Sequence, residues 1–300
     1  MTDAPLAAPA VLPLAAPFPQ RERRWRTLRR VIANPVSAVG LAIAALLIAV
    51  AVLAPVLGLR DPIAMAPKDR LLPPSAAHWF GTDDGGRDVF SRVMFGARYS
   101  LLAAVVVLSL AVTAGTAIGL AAGYFGGKVD EALRRLTDIF LAFPALLLAM
   151  GISAALGASL TNSMIAIALV WWPWYARLVR GQTLRLREEQ FVEAARATGA
   201  SSLRTLARHV LPNCLKPIIV QISLDVGYAI LTTASLSFIG LGAQPPTPEW
   251  GAMVSAGKDY ILDQWWIATF PGFAIFLAVV ASNLLGEGLQ EAISPSLHSR

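Results

Sequence analysis

The sequence predicts an all-α fold, a polytopic membrane helix bundle of about six transmembrane helices. Three observations carry that expectation. Of the 300 residues, 56% are hydrophobic and only 15% charged, against roughly 25% charged in a soluble domain. Mean hydropathy is +0.59, so lipid has to be the solvent for much of the apolar surface. The apolar residues also come in long uninterrupted runs, a pattern that a greasy soluble helical protein has no need of.

Charge-free runs place the helices in order. The first span lies near Pro35–Leu57 and the second between Arg98 and Lys128. The run between Asp138 and Arg177 holds 38 residues without a charge, too long for one span of about 20. Gly157-Ala-Ser-Leu-Thr-Asn162 supplies a turn within it, which gives spans near 139–156 and 161–177. The fifth runs from about Lys216 to Leu241 and the sixth lies between Asp263 and Glu287. In domain terms, residues 1–30 read as a disordered basic tail and 31–97 as the first helix plus an external loop. Residues 98–293 read as the core, with a polar loop at 177–213, and 294–300 as a second tail.

Orientation follows the bias of Lys and Arg. With the N-terminus inside, inner segments hold 18 of these residues and outer segments 7. Both termini are therefore expected on the cytoplasmic side. The run Arg21, Arg23, Arg24, Arg26, Arg29, Arg30 precedes an apolar stretch too long for a cleaved signal, so it reads as a retained anchor.

The net charge of +6 sits mainly beside apolar runs. That placement fits topology control and attraction to anionic lipid rather than nucleic acid. Cys214 is the single cysteine and His78, His209 and His298 lie far apart, which argues against disulfides and a metal centre. No cofactor is expected on this chain. The nearest approach to a phosphate-binding loop, Gly251 to Asp259, is one residue too long, has Asp where Ser or Thr is needed, and lies outside.

The longest inner polar segment is residues 177–213. Its apolar residues recur at helical spacing: Phe191, Ala194, Ala195 and Thr198 on one face, then Leu203, Leu206 and Val210 on another. Gly199 lies between them, where a left-handed turn is allowed. Ser201 and Ser202 are available as caps, and Pro212 is expected to end the second helix. The bland reading is a basic amphipathic helix resting on headgroups. Two features favour docking onto a protein instead. Glu188, Glu189 and Glu193 oppose anionic lipid, and the small residues Ala194, Ala195 and Gly199 suit a groove.

This loop resembles the EAA loop of ABC importer permeases. Glu193-Ala194-Ala195, then Gly199, then Leu211-Pro212 match its pattern E-A-A-x3-G-x9-I-x-L-P, with His209 at the isoleucine position. Further segments look like the dipeptide/oligopeptide/nickel branch. They include Gly81-Thr82-Asp83 with Gly86-Arg87-Asp88, Gly123-Tyr124-x-Gly126-Gly127-x-Val129-Asp130, and Leu236-Ser237-Phe238-x-Gly240-Leu241-Gly242. Glu287 and Ser294 stand where that branch more often has aspartates. The resemblance implies an inner-membrane permease, not an enzyme, paired with a second homologous permease, two ATPase subunits and an external solute-binding protein. ATP would be bound and hydrolysed on the partner subunits. Glu193, Ala194, Ala195, Gly199, Leu211 and Pro212 would couple this chain to an ATPase. The implied cargo is di- or oligopeptides; nickel chelates, glutathione or another small amide are the alternative. A secondary transporter or channel would need inverted repeats or paired intramembrane charges, and neither is legible.

Other features carry weaker readings. Asp225 is the one acid well inside a span, so a proton relay has no second member. It reads as a helix-packing hydrogen bond or as a contact on the pathway. Trp171, Trp172, Trp174 and Tyr175 read as an aromatic belt near an inner boundary. Gly115, Gly119 and Gly123 read as a small-residue packing stripe. The GTD-x2-GRD segment reads as a structured external loop, with contact to the binding protein as the other reading.

Overall fold

The computed structural model describes Arg29 and residues 31–293. The expectations for the tails therefore lie outside the described residues, Arg29 excepted. Among the described residues the β content is a single bridge between Thr82 and Asp88, and the rest is helix and loop.

Helix α1 is Pro35–Leu53. Asn34 caps it by accepting from the Val36 N–H at 2.9 Å, and Pro35 stands at the first helical position, where no donor is needed. Helix α2 is Val89–Phe125, 37 residues long, or about 55 Å at 1.5 Å per residue. It starts well before the limit expected at Arg98, because Asp88 accepts from the Ser91 N–H at 2.8 Å and caps it there. The boundary drawn at 97/98 thus falls inside a helix.

The expected third span is not a straight helix. Helix α3, Gly127–Leu141, and helix α4, Ala145–Leu156, meet at 87°. Pro144 cannot continue α3 and disfavours helix at Phe143. The charges of α3 (Lys128, Asp130, Glu131, Arg134, Arg135 and Asp138) keep it at the membrane face. The turn expected at 157–162 is built as read. Gly157 has φ +93° and Ser159 caps α5, Leu160–Leu186, by accepting from the Asn162 N–H at 3.1 Å.

After α5 come α6, Gln190–Ala197, and α7, Ser202–Thr205. Pro212 does not end the helix that follows. One π turn, Leu206–Val210, carries α7 directly into α8, Leu211–Phe238. Pro212 falls two residues beyond the π turn, whose wider winding makes room for its ring and for the one hydrogen bond it cannot make. A short α9, Trp250–Gly257, precedes α10, Trp266–Ile293.

Among the described residues four stretches are long and apolar enough to cross a bilayer: Pro35–Val56, Val89–Phe125, Ser202–Phe238 and Trp266–Ile293. The bent α3–α4 pair makes a fifth. Helix α5 has the length, 27 residues. Its Trp171–Tyr175 cluster and the bases Arg177, Arg180 and Arg185 dilute its apolarity. Among the described residues the bundle thus has four continuous candidate crossings, one broken one, and one helix rich in aromatics with a basic C-terminal end.

Small residues set the closest helix approaches. A Cβ added at Gly119 would stand 2.5 Å from the Ala176 carbonyl oxygen and 2.8 Å from Val179 Cβ, and one at Gly123 would stand 2.6 Å from Thr183 Cβ. The stripe therefore lets the backbones of α2 and α5 touch, as expected of it. On the other side of the bundle, the Ser282 hydroxyl of α10 accepts from the Gly227 N–H and donates to the Ser223 carbonyl of α8, each at 2.8 Å.

The loop between α1 and α2 is tightly built. Arg87 donates to Asp83 at 2.8 Å, and Trp266 of α10 donates through Nε1 to the Thr82 carbonyl at 3.1 Å. Glu249 is 1% exposed because it accepts from the N–H groups of Gly251 and Ala252 and from the Ser100 hydroxyl. The GTD-x2-GRD segment is thus a structured loop.

Candidate functional site

The polar loop at 177–213 folds as a braced unit. Val192, Leu206 and Val210 pack into one cluster with Val179, Leu186, Cys214 and Ile218. The loop thereby buries one face against the C-terminal end of α5 and the N-terminal end of α8, and presents the other. Two expected groupings change. Ala195 is buried while Phe191, Ala194 and Thr198 are exposed, and Leu203 is 77% exposed while Leu206 and Val210 are buried. The loop curls around the helix ends, so sequence periodicity alone misassigns residues near the turn.

That turn is at Gly199. Its N–H donates to the Arg196 carbonyl at 2.9 Å and the Ala200 N–H donates to the Ala195 carbonyl at 3.0 Å. This pair of bonds closes a Schellman motif, which needs a left-handed residue at the position Gly199 holds, φ +80°. Ser201 then caps α7, accepting from the Arg204 N–H at 3.4 Å. Glu193 and Ala194 stand on the outward face of α6, and Glu193 makes no ion pair among the described residues. Leu211 is half-buried and Pro212 exposed, both at the root of α8 beyond the π turn.

Three contacts tie this unit to the rest of the bundle, and spacing did not reveal them. Arg187 donates to the Gly123 carbonyl at 3.1 Å. Arg196 sits 4.8 Å from the centre of the Tyr124 ring and donates to its hydroxyl at 3.3 Å. Arg180 grips Asp130 with both arms of its guanidinium, one of them at 2.7 Å, and its hydrogen bonds hold the Asp130 carboxyl below the usual carboxylate range. Tyr124 and Asp130 belong to a segment the sequence reading had marked, but their partners lie 50 or more residues away.

Asp225 is not isolated. The Tyr175 hydroxyl donates to it at 2.6 Å and the Gln221 amide at 3.0 Å, so it joins α8 to α5. The aromatic cluster is not a lipid-facing belt. Trp171, Trp172 and Tyr175 are buried and only Trp174 is exposed. Trp171 stacks on Tyr228 at 5.1 Å and Trp172 meets Phe140 edge-on at 5.4 Å. These rings pack between helices because α5 is enclosed by its neighbours on that side.

The arrangement is mechanical. A helix with an outward small and acidic face is tied by Arg196 to the end of α2; beside it Arg187 bonds α2 and Arg180 links α5 to α3, and the turn at Gly199 leads through α7 into α8. A family model described as binding-protein-dependent transport system inner membrane component matches residues 115–299. A probable D,D-dipeptide transport system permease of Escherichia coli (strain K12) is 47% identical over 280 residues, 92% of this chain and 94% of that protein. A dipeptide transport system permease of Alkalihalophilus pseudofirmus is 45% identical over 299 residues, 100% of this chain and 97% of that protein. A glutathione transport system permease of Pectobacterium atrosepticum is 46% identical over 226 residues, 75% of each chain.

Proposed function

The chain belongs to the family of binding-protein-dependent transport system inner membrane components, and from that premise we propose that it carries di- or oligopeptides across a bacterial inner membrane as one permease of an ABC importer. It is a multi-pass transport permease and not an enzyme. Its partners are a second homologous permease, two ATPase subunits that hold the ATP, and an external solute-binding protein. Both termini face the cytoplasm, which a reporter fused after Arg300 tests by its side of activity.

The observation that carries the coupling reading is α6 itself. Its outer face offers Glu193 and Ala194 to a partner, while Val192 anchors the opposite face in the loop's apolar cluster and Ala195 is buried beside it. An ATPase that takes this face in a groove moves α6; Arg196 and Arg187 pass the displacement to α2, and Arg180 carries it from α5 to α3. Leu211 and Pro212 pass it to α8. The result is rigid-body rocking of helix bundles around a central path.

The test is uptake of a labelled dipeptide in cells that lack other dipeptide importers and express the full complex. Uptake is expected, and Glu193→Lys is expected to abolish it while the permease stays in the membrane. Undiminished uptake in Glu193→Lys would refute the coupling role. The similarity to glutathione permeases supports glutathione as a second cargo reading. Excess glutathione that blocks uptake where excess dipeptide does not would favour it.

A further inference from the structure

A basic pocket of about 300 Å³ opens at the inner ends of α2, α3 and α5. The apolar part of its lining, Ile118, Gly119 and Ala176, is buried or half-buried and forms the floor; the exposed Arg134, Arg177 and Asp138, with the half-buried Arg180, form the rim. The three guanidiniums differ in how firmly they are held. Arg180 is locked by Asp130 through two bonds. Arg177 makes a single bond to Asp138 at 3.0 Å, and both side chains are more than half exposed. Arg134 is exposed and makes no ion pair among the described residues. Three cations thus face two carboxylates, and most of the N–H donors of Arg134 and Arg177 remain open.

The pocket lies at headgroup depth. Arg177 closes the charge-free run 139–176, and α3 turns off the axis of α4 by 87°, so it runs along the membrane face. Beside the rim, α3 exposes Leu136 and Ile139, 41% and 60% accessible. A guanidinium rim over an apolar floor, with aliphatic side chains next to it, matches a phosphodiester that carries acyl chains. Inorganic phosphate offers the same oxygens but nothing to cover Leu136 and Ile139.

We propose that this pocket binds the phosphodiester of an anionic phospholipid, with Arg134 and Arg177 as its ligands and Arg180 as a fixed positive wall. The site does not depend on which cargo the permease carries. It pins the in-plane helix α3 to the lipid headgroups at the point where α3 is ion-paired to α5.

Native mass spectrometry of the detergent-released full complex tests this, with phosphatidylglycerol and phosphatidylcholine as probes. Wild type is expected to retain phosphatidylglycerol about tenfold better than phosphatidylcholine. The double variant Arg134→Gln with Arg177→Gln is expected to lose that preference, and Arg135→Gln, one residue along α3 but absent from the rim, to keep it. If the double variant does not assemble, Arg134→Glu is read instead, because an exposed and unpaired residue tolerates the change, and it too is expected to lose the preference. Equal retention of the two lipids by wild type, an unchanged preference in the rim variants, or the same loss in Arg135→Gln overturns the proposal. Release of phosphatidylglycerol by excess inorganic phosphate makes the free anion the ligand and overturns the lipid assignment.

Discussion

The Tyr175 hydroxyl donates to the Asp225 carboxylate at 2.6 Å and so joins α5 to α8 across the middle of the bundle. Gln221, one turn before Asp225, donates to its other oxygen at 3.0 Å. Both carboxylate oxygens are therefore engaged within the chain, which makes Asp225 a tie between helices before it is anything else.

Tyr175→Phe removes one donor and leaves the carboxylate under-bonded. A loss of about 1–2 kcal/mol in stability of the purified complex is expected. Asp225→Asn in the Tyr175→Phe background should cost less than the sum of the two single changes, because the pair acts as one unit. Thermal melts of the four proteins measure this. Strict additivity would instead leave Asp225 as a pathway residue.

At Gly199 the constraint is backbone conformation and not space. A Cβ there meets nothing within 4 Å, but φ is +80°. Gly199→Val is therefore expected to strain the turn by about 1–3 kcal/mol and to reduce uptake steeply with insertion intact. Gly199→Asn, which tolerates the left-handed region better, should retain most of the uptake. Equal activity of the valine and asparagine variants would show that the Schellman turn does not matter.

Gly119 is the opposite case. Its φ is ordinary, and the Ala176 carbonyl and Val179 block any side chain. Gly119→Leu should force α2 and α5 apart and lower the amount of permease recovered from the membrane, where Gly151→Leu, with open space around it, should not. Immunoblots of membrane fractions compare the two.

The Asp130–Arg180 pair predicts a pH dependence of definite sign. The Asp130 carboxyl is held below its ordinary range by the hydrogen bonds from Arg180. Its contribution to stability is present above the ordinary carboxylate pKa of about 4 and is lost as pH falls through the lower folded value. Asp130→Asn should flatten the acid side of a plot of melting temperature against pH, with the neutral side lowered. An acid limb as steep as in wild type would place the titrating group elsewhere.

The apolar runs of the sequence determine by themselves that the chain is a membrane helix bundle, because nothing but lipid can solvate so much contiguous apolar surface. Residues 193–199 also determine the loop that marks its family, and Gly199 its turn, since cap and turn chemistry is local. The sequence could not tell that Pro144 bends the chain by 87° while Pro212 lets a helix run through a π turn. A proline removes one donor in either place, and what the neighbouring turns do next depends on packing. Nor could it show that Ala195 faces inward, that Trp171, Trp172 and Tyr175 are packed between helices, or that Arg196 reaches Tyr124 and Arg180 reaches Asp130. The Arg180 and Arg196 contacts join residues 50 or more positions apart, and helical periodicity carries no information about which face a distant helix will cover. Only the tertiary structure decided them.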